Sequence, residues 1–177
     1  TERILARQNC YISGIAGVGK SFFMMQMTKQ LDEQEVWVKK VAKCHVATLN
    51  VEGSTADAFL HKYGNGGFAQ KRCCLVLEEV CVLDTRLLQQ LAKRKRMGVQ
   101  YICLGCPNQF KPIAFEFNGS PTDPDYEASA FLRTLCDGNR LHLTESKRSG
   151  EGVLWEFYSS IALNGCRFGW SLQSKIA

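Results

Sequence analysis

The sequence predicts an α/β domain built on a mostly parallel sheet flanked by helices on both faces. Three observations predict it. Short apolar runs rich in strand formers alternate with longer amphipathic stretches, the pattern of repeated βαβ units. The intervals between the runs hold the dozen or so residues that a parallel crossover needs. A glycine-rich turn also stands between the first run and the first amphipathic stretch.

Taken in order, Cys10–Ser13 reads as the first strand and Lys20–Leu31 as the helix after the turn, with Met24, Met25 and Met27 as core packing. Val36–Val41 is the second strand and Thr55–Lys62 the second helix. A breaker, Gly64-Asn65-Gly66-Gly67, precedes the strand Cys73–Leu77. The helix Asp84–Lys95 follows, and its basic end, Lys93-Arg94-Lys95-Arg96, reads as a solvated terminus whose cations complement the helix dipole. Gln100–Leu104 is the next strand, and Asn118-Gly119-Ser120-Pro121 with Asp123-Pro124 breaks the chain before the helix Tyr126–Cys136. Leu141–Leu143 closes the sheet, and a last helix covers roughly Gly152–Ala162.

The chain has 177 residues, 45% hydrophobic and 22% charged, which suits one globular domain and excludes two large ones. No stretch approaches the roughly 20 apolar residues that cross a bilayer, so a membrane partner is not expected. The 22 basic and 17 acidic residues leave a net charge of +5, which permits a polyanionic partner. Nine cysteines are an odd count, and several sit inside apolar runs as small hydrophobes do, which points to an intracellular, reducing compartment; nucleus, cytoplasm and a viral context stay open. Cys103 and Cys106 have Cys-x-x-Cys spacing, but no second ligand pair accompanies them. His45, His61 and His142 are too scattered for a metal site, and Trp37, Trp155 and Trp170 read as burial as readily as base stacking.

The strongest local signal runs from Gly14 to Ser21, with four residues between a glycine and Gly-Lys-Ser. It lies between a strand and a helix, where such a loop turns its backbone N–H groups around phosphate oxygens and the helix N-terminus adds its dipole. Gly14, Ala16, Gly17, Val18, Gly19, Lys20 and Ser21 are therefore expected to bind a nucleoside triphosphate, with Lys20 on the β- and γ-phosphates and Ser21 on Mg²⁺. Glu78 and Glu79 end the apolar strand Cys73–Leu77. A carboxylate pair at that end of a strand can hold Mg²⁺ and orient an attacking water.

Five segments in order resemble motifs of superfamily-one helicases of the 5′-to-3′ kind, the RecD and Pif-like DNA helicases. Residues 9–21 resemble the first motif, 46–59 the segment that lies near the single strand, and 77–84 the Mg²⁺ motif; 101–113 resemble the third motif and 141–148 the fourth. The resemblance implies a RecA-like P-loop fold, ATP and Mg²⁺ as cofactors, and a helicase that couples ATP turnover to translocation on single-stranded nucleic acid, DNA being favoured over RNA. It implies catalytic roles for Glu79, Gln109 as γ-phosphate sensor and Arg148 as charge stabiliser, metal binding by Ser21 and Glu78, and strand contacts by Thr55 and Phe59.

The chain departs from the family pattern at four places: Glu78 stands for the usual Asp, Cys106 for an Asp, Asp57 for a His, and Cys44-His45 for Thr-Gly. These departures carry an alternative, a degenerate helicase-like module that binds nucleotide or protein partners without turnover. The expected division is a nucleotide-binding domain over 1–148 and a helix and tail over 149–177 leading toward a second RecA-like domain. The absence of an initiator Met and the short segment before the first strand suit an excerpt of a longer protein or a reduced relative.

Overall fold

The computed structural model describes residues 1–43, 53–63, 72–106, 116–117, 120–121 and 128–145. A six-stranded sheet organises them, with spatial order β3-β2-β4-β5-β1-β8 and every pairing parallel. Its strands are β1 (Cys10–Ser13), β2 (Trp37–Ala42), β3 (Ser54–Thr55), β4 (Cys73–Leu77), β5 (Gln100–Gly105) and β8 (Arg140–His142). The short antiparallel pair β6 (Glu116–Phe117) and β7 (Ser120–Pro121) stands apart. The helices are α1 (Glu2–Leu5), α2 (Lys20–Glu33), α3 (Ala56–Tyr63), α4 (Thr85–Ala92) and α5 (Ala130–Leu135).

Strands β1, β4 and β5 are buried at every position, as central parallel strands covered on both faces must be. Their side chains alternate between two cores. Leu75, Leu77, Tyr101 and Cys103 face Phe59 of α3, Leu87 and Leu91 of α4 and Leu132 of α5. Cys74, Val76, Ile102 and Leu104 face Ile4 of α1 and Met24, Met27 and Leu31 of α2. The methionines at 24 and 27 are thus core, whereas Met25 is 53% exposed.

Helix boundaries follow local capping. Asp84 accepts a hydrogen bond from the Leu87 N–H at 2.9 Å and starts α4. Burial works to raise its carboxyl, but that bond and the Lys43 ammonium 3.0 Å away outweigh it and hold Asp84 below the usual carboxylate range. Helix α4 stops at Ala92 and tightens into a 3₁₀ turn over Lys93–Met97, closed by Gly98 at φ 75. The basic run is only partly a solvated end: the Arg94 guanidinium is buried and donates to the carbonyls of Gln90 and Tyr63 at 2.9 and 3.0 Å. Helix α5 begins at Ala130 because Ser129, in extended conformation, caps it by accepting from Leu132 N–H, so Ala128 and Ser129 are not helical as expected. The expected helix over 152–162 lies outside the described residues. No helix among the described residues is long and apolar enough to cross a membrane.

Candidate nucleotide site

The phosphate loop leaves β1 at its C-terminal end and runs into α2. Ser13 closes the strand, Gly17 and Gly19 take left-handed conformations at φ 89 and 84, and Lys20 opens the helix. Only glycine enters that region freely, which is why the loop spends two of them there. The Lys20 ammonium donates to the carbonyls of Gly14 at 2.7 Å and Ile15 at 2.9 Å. Gly14 is close-packed: a Cβ there would lie 2.7 Å from the Leu143 carbonyl oxygen and 2.8 Å from Val18 Cγ2.

The loop borders a cavity of about 1060 Å³ at the C-terminal edge of the sheet. Ala16, Gly17, Val18, Gly19, Lys20 and Ser21 line one side, and Glu78 and Glu79, following β4, line another. This is where an open parallel sheet binds ligands, beside the strand at which its winding reverses. Glu78 is 7% exposed; burial and then the neighbouring Glu79 charge push its carboxyl above the ordinary value, against the cations of Lys40 and Lys20. Burial pushes the Lys20 ammonium down, against the nearby Cys106, Glu78, Cys81 and Glu79. Glu79 sits in a left-handed conformation at φ 50 and opens the 3₁₀ turn Val80–Val82.

The oxygen donors of Ser21, Glu78 and Glu79 suit Mg²⁺, a hard cation held by one or two carboxylates together with substrate phosphates. The Glu79 charge disfavours ionisation of Glu78, and a bound divalent cation would offset that repulsion. Among the described residues no group of three or more His, Cys, Asp or Glu side chains is arranged to hold a metal ion without further ligands from outside the set.

The structure therefore brings the predicted loop residues, Glu78 and Glu79 together. Gln109, Arg148 and Cys44-His45 lie outside the described residues. The expected strand contacts come out differently. Phe59 is 1% exposed, its ring tilted against Tyr63 at 5.2 Å and under the Arg94 guanidinium at 5.7 Å, so it is a core side chain with no face open to a base. Thr55 is half-buried, and its hydroxyl accepts from the Ala58 N–H at 3.2 Å, capping α3. Asp57 is exposed in the first turn of α3, where a carboxylate complements the helix dipole. Cys106 is buried directly after β5.

Two groups of residues at the site escaped the sequence reading. Phe22, Phe23, Gln26, Met27 and Gln30 of α2 extend the cavity wall beyond the loop, a placement legible only from their i, i+4 spacing. Ser13 is fully buried, and its hydroxyl meets His142 and Arg140 of β8. A polar residue ending an apolar strand just before the loop was its one signal.

A buried parallel sheet with a glycine-rich phosphate loop after its first strand and paired carboxylates after β4 defines a P-loop nucleotide-binding domain of RecA-like type. A family profile described as AAA domain matches residues 1–117, and the chain belongs to that family. Its sequence relatives and fold neighbours are Pif1 helicases, and its fold is that of their RecA-like domains. It is 32% identical over 136 residues to the ATP-dependent DNA helicase PIF5 of Trypanosoma brucei brucei, a match covering 62% of this chain and 15% of that protein. It superimposes on the Pif1 helicase of Candida albicans with a TM-score of 0.68 at 19% identity, covering 89% of this chain and 40% of that one. With the Bacteroides Pif1 solved with ADP-AlF3 and ssDNA the TM-score is 0.62 at 16% identity, covering 92% and 45%. The chain thus spans less than half the length of each of these relatives.

Proposed function

We propose that this chain is the ATP-binding and ATP-hydrolysing domain of a DNA helicase that couples turnover to movement along single-stranded nucleic acid. The observation that carries the reading is the convergence of Lys20, Ser21, Glu78 and Glu79 on one cavity. Lys20 neutralises the β- and γ-phosphates, the loop amides hold them, and Glu79 orients and deprotonates the attacking water. When bound, Mg²⁺ supplies charge neutralisation between the phosphates, held by Ser21 and Glu78. Gln109 senses the γ-phosphate and Arg148 stabilises the charge that develops on it, as the matching motifs imply. A second RecA-like domain completes the site from beyond residue 148, and DNA is the favoured strand, supported by the names of the relatives. A reducing compartment suits the seven free cysteines, all buried, among the described residues.

The full-length protein is expected to show Mg²⁺-dependent ATPase activity that single-stranded DNA stimulates and Lys20→Ala abolishes. Equal turnover in the variant, or tight ATP binding with no turnover in the unmutated protein, overturns the reading.

A further inference from the structure

Strand β8 and the residue after it touch the phosphate loop's root through Arg140, His142 and Leu143. Ser13 stands in register with His142, and its Oγ lies 2.8 Å from His142 Nδ1 and 3.2 Å from Arg140 Nε. The Ser13 carbonyl accepts from the Leu143 N–H at 2.8 Å, and the Leu143 carbonyl oxygen fills the space a side chain on residue 14 would need. Arg140 also lies over the Tyr11 ring at 5.6 Å, on the same face of β1 as Ser13.

A serine hydroxyl has one proton, and a guanidinium only donates. Arg140 donates to Ser13 Oγ, and the His142 tautomer with Nδ1 unprotonated accepts the Ser13 proton, the arrangement that leaves the buried hydroxyl proton a partner. Being fully buried, Ser13 has no water to substitute for either partner. Next along the chain, the Gly14 carbonyl holds the Lys20 ammonium at 2.7 Å. His142, Ser13, Gly14 and Lys20 thus form a continuous path from β8 to the phosphate-binding cation, and the chain leaving β8 carries Arg148.

We propose that Ser13 is a positioning residue: tied to His142 and Arg140, it anchors the root of the phosphate loop to β8 and so sets where the Lys20 ammonium stands. It touches no nucleotide. Without it the loop still binds phosphate, but Lys20 loses its alignment with Glu79 across the cavity, and small misplacements cost rate steeply. The inference rests on the ATP-hydrolysing reading above.

The test is steady-state ATPase kinetics of the full-length protein, with nucleotide affinity read from a fluorescent ATP analogue and folding from thermal melts. Ser13→Ala is expected to lower kcat about tenfold while KM and the analogue's Kd move less than twofold. Ser13→Thr, which keeps the hydroxyl, restores kcat to within about twofold. His142→Ala also lowers kcat, and the double variant is no slower than Ser13→Ala, since the serine substitution already removes the His142 contact. Unchanged kcat in folded Ser13→Ala, or losses that multiply in the double variant, overturns the inference while the ATPase reading stands. Absence of turnover in the unmutated protein overturns both.

Discussion

The carbonyl oxygen of Leu143 lies 2.7 Å from the point where a Cβ on Gly14 would sit. The obstacle is backbone paired to β1 on the other side of the same residue, so it cannot swing aside as a side-chain tip would. Gly14→Ala must push β8 away from the loop or bend the loop toward Val18. Overpacking of this kind costs about 1–3 kcal/mol. A thermal melt is expected to fall accordingly, and the affinity for ATP with it. A variant as stable and as tight-binding as the natural chain would show that β8 yields freely.

Ligand linkage offers a test of the cavity that needs no turnover. At a concentration about 100 times Kd, Mg²⁺-ATP adds about 2.7 kcal/mol to the folded state. For a chain of this length that is a rise in Tm of about 5–10 °C. Lys20→Ala removes the ammonium from the loop and is expected to abolish most of that rise while leaving the unliganded melt nearly unchanged, since the Lys20 bonds are made to the loop's own carbonyls. The comparison is made by differential scanning fluorimetry with and without nucleotide.

Glu78 is expected to oppose folding at neutral pH. Burial and Glu79 raise its carboxyl above the ordinary value of 4.5. A group raised in the folded state contributes most below its unfolded value, and that contribution is lost as pH rises through the folded one. Glu78→Gln keeps the shape and removes the charge. It is expected to raise Tm by about 3 °C at pH 8, the response to about 1 kcal/mol at this size. The advantage shrinks toward zero near pH 4, where both chains are neutral at that position. ATPase activity should fall in the same variant, so stability and turnover separate. A Tm difference that does not depend on pH would contradict this account.

Phe59 separates a core role from a strand-binding one. Phe59→Ala is expected to cost about 3–5 kcal/mol, as for a fully buried ring. Phe59→Leu, which keeps most of the volume, costs about 1 kcal/mol. Single-stranded DNA affinity of the folded Phe59→Leu protein should match that of the natural chain, checked by fluorescence anisotropy. A large loss of DNA affinity at unchanged stability would return the ring to the strand.

What could be read in the sequence was local. Cys10–Ser13, Cys73–Leu77 and Gln100–Leu104 are apolar runs too short for helices, and the central sheet follows from them directly. The loop from Gly14 to Ser21 carries its chemistry in consecutive residues. What escaped depends on distant partners. Ser13 and His142 are 129 positions apart, and nothing near either one announces the pairing. Phe59 follows Ala56 by three positions and shares its inward face, a helical periodicity that outweighs motif likeness in deciding where a ring points. Helices α4 and α5 came out shorter than their apolar pattern because the 3₁₀ turn over Lys93–Met97 and the Ser129 cap set their limits.

Among the described residues stand seven free, buried thiols, on β1, β4 and β5, in the turns after β4 and β5, and beside α5. Burial pushes the Cys73 thiol up to about 12, so in the folded chain it is both shielded and protonated. Such a thiol reacts with an alkylating reagent only when its surroundings open. The domain thus carries a distributed set of clocks. Their labelling rates, read by mass spectrometry cysteine by cysteine, time the opening of β1, β4 and β5 separately and show which of these inner strands loosens first.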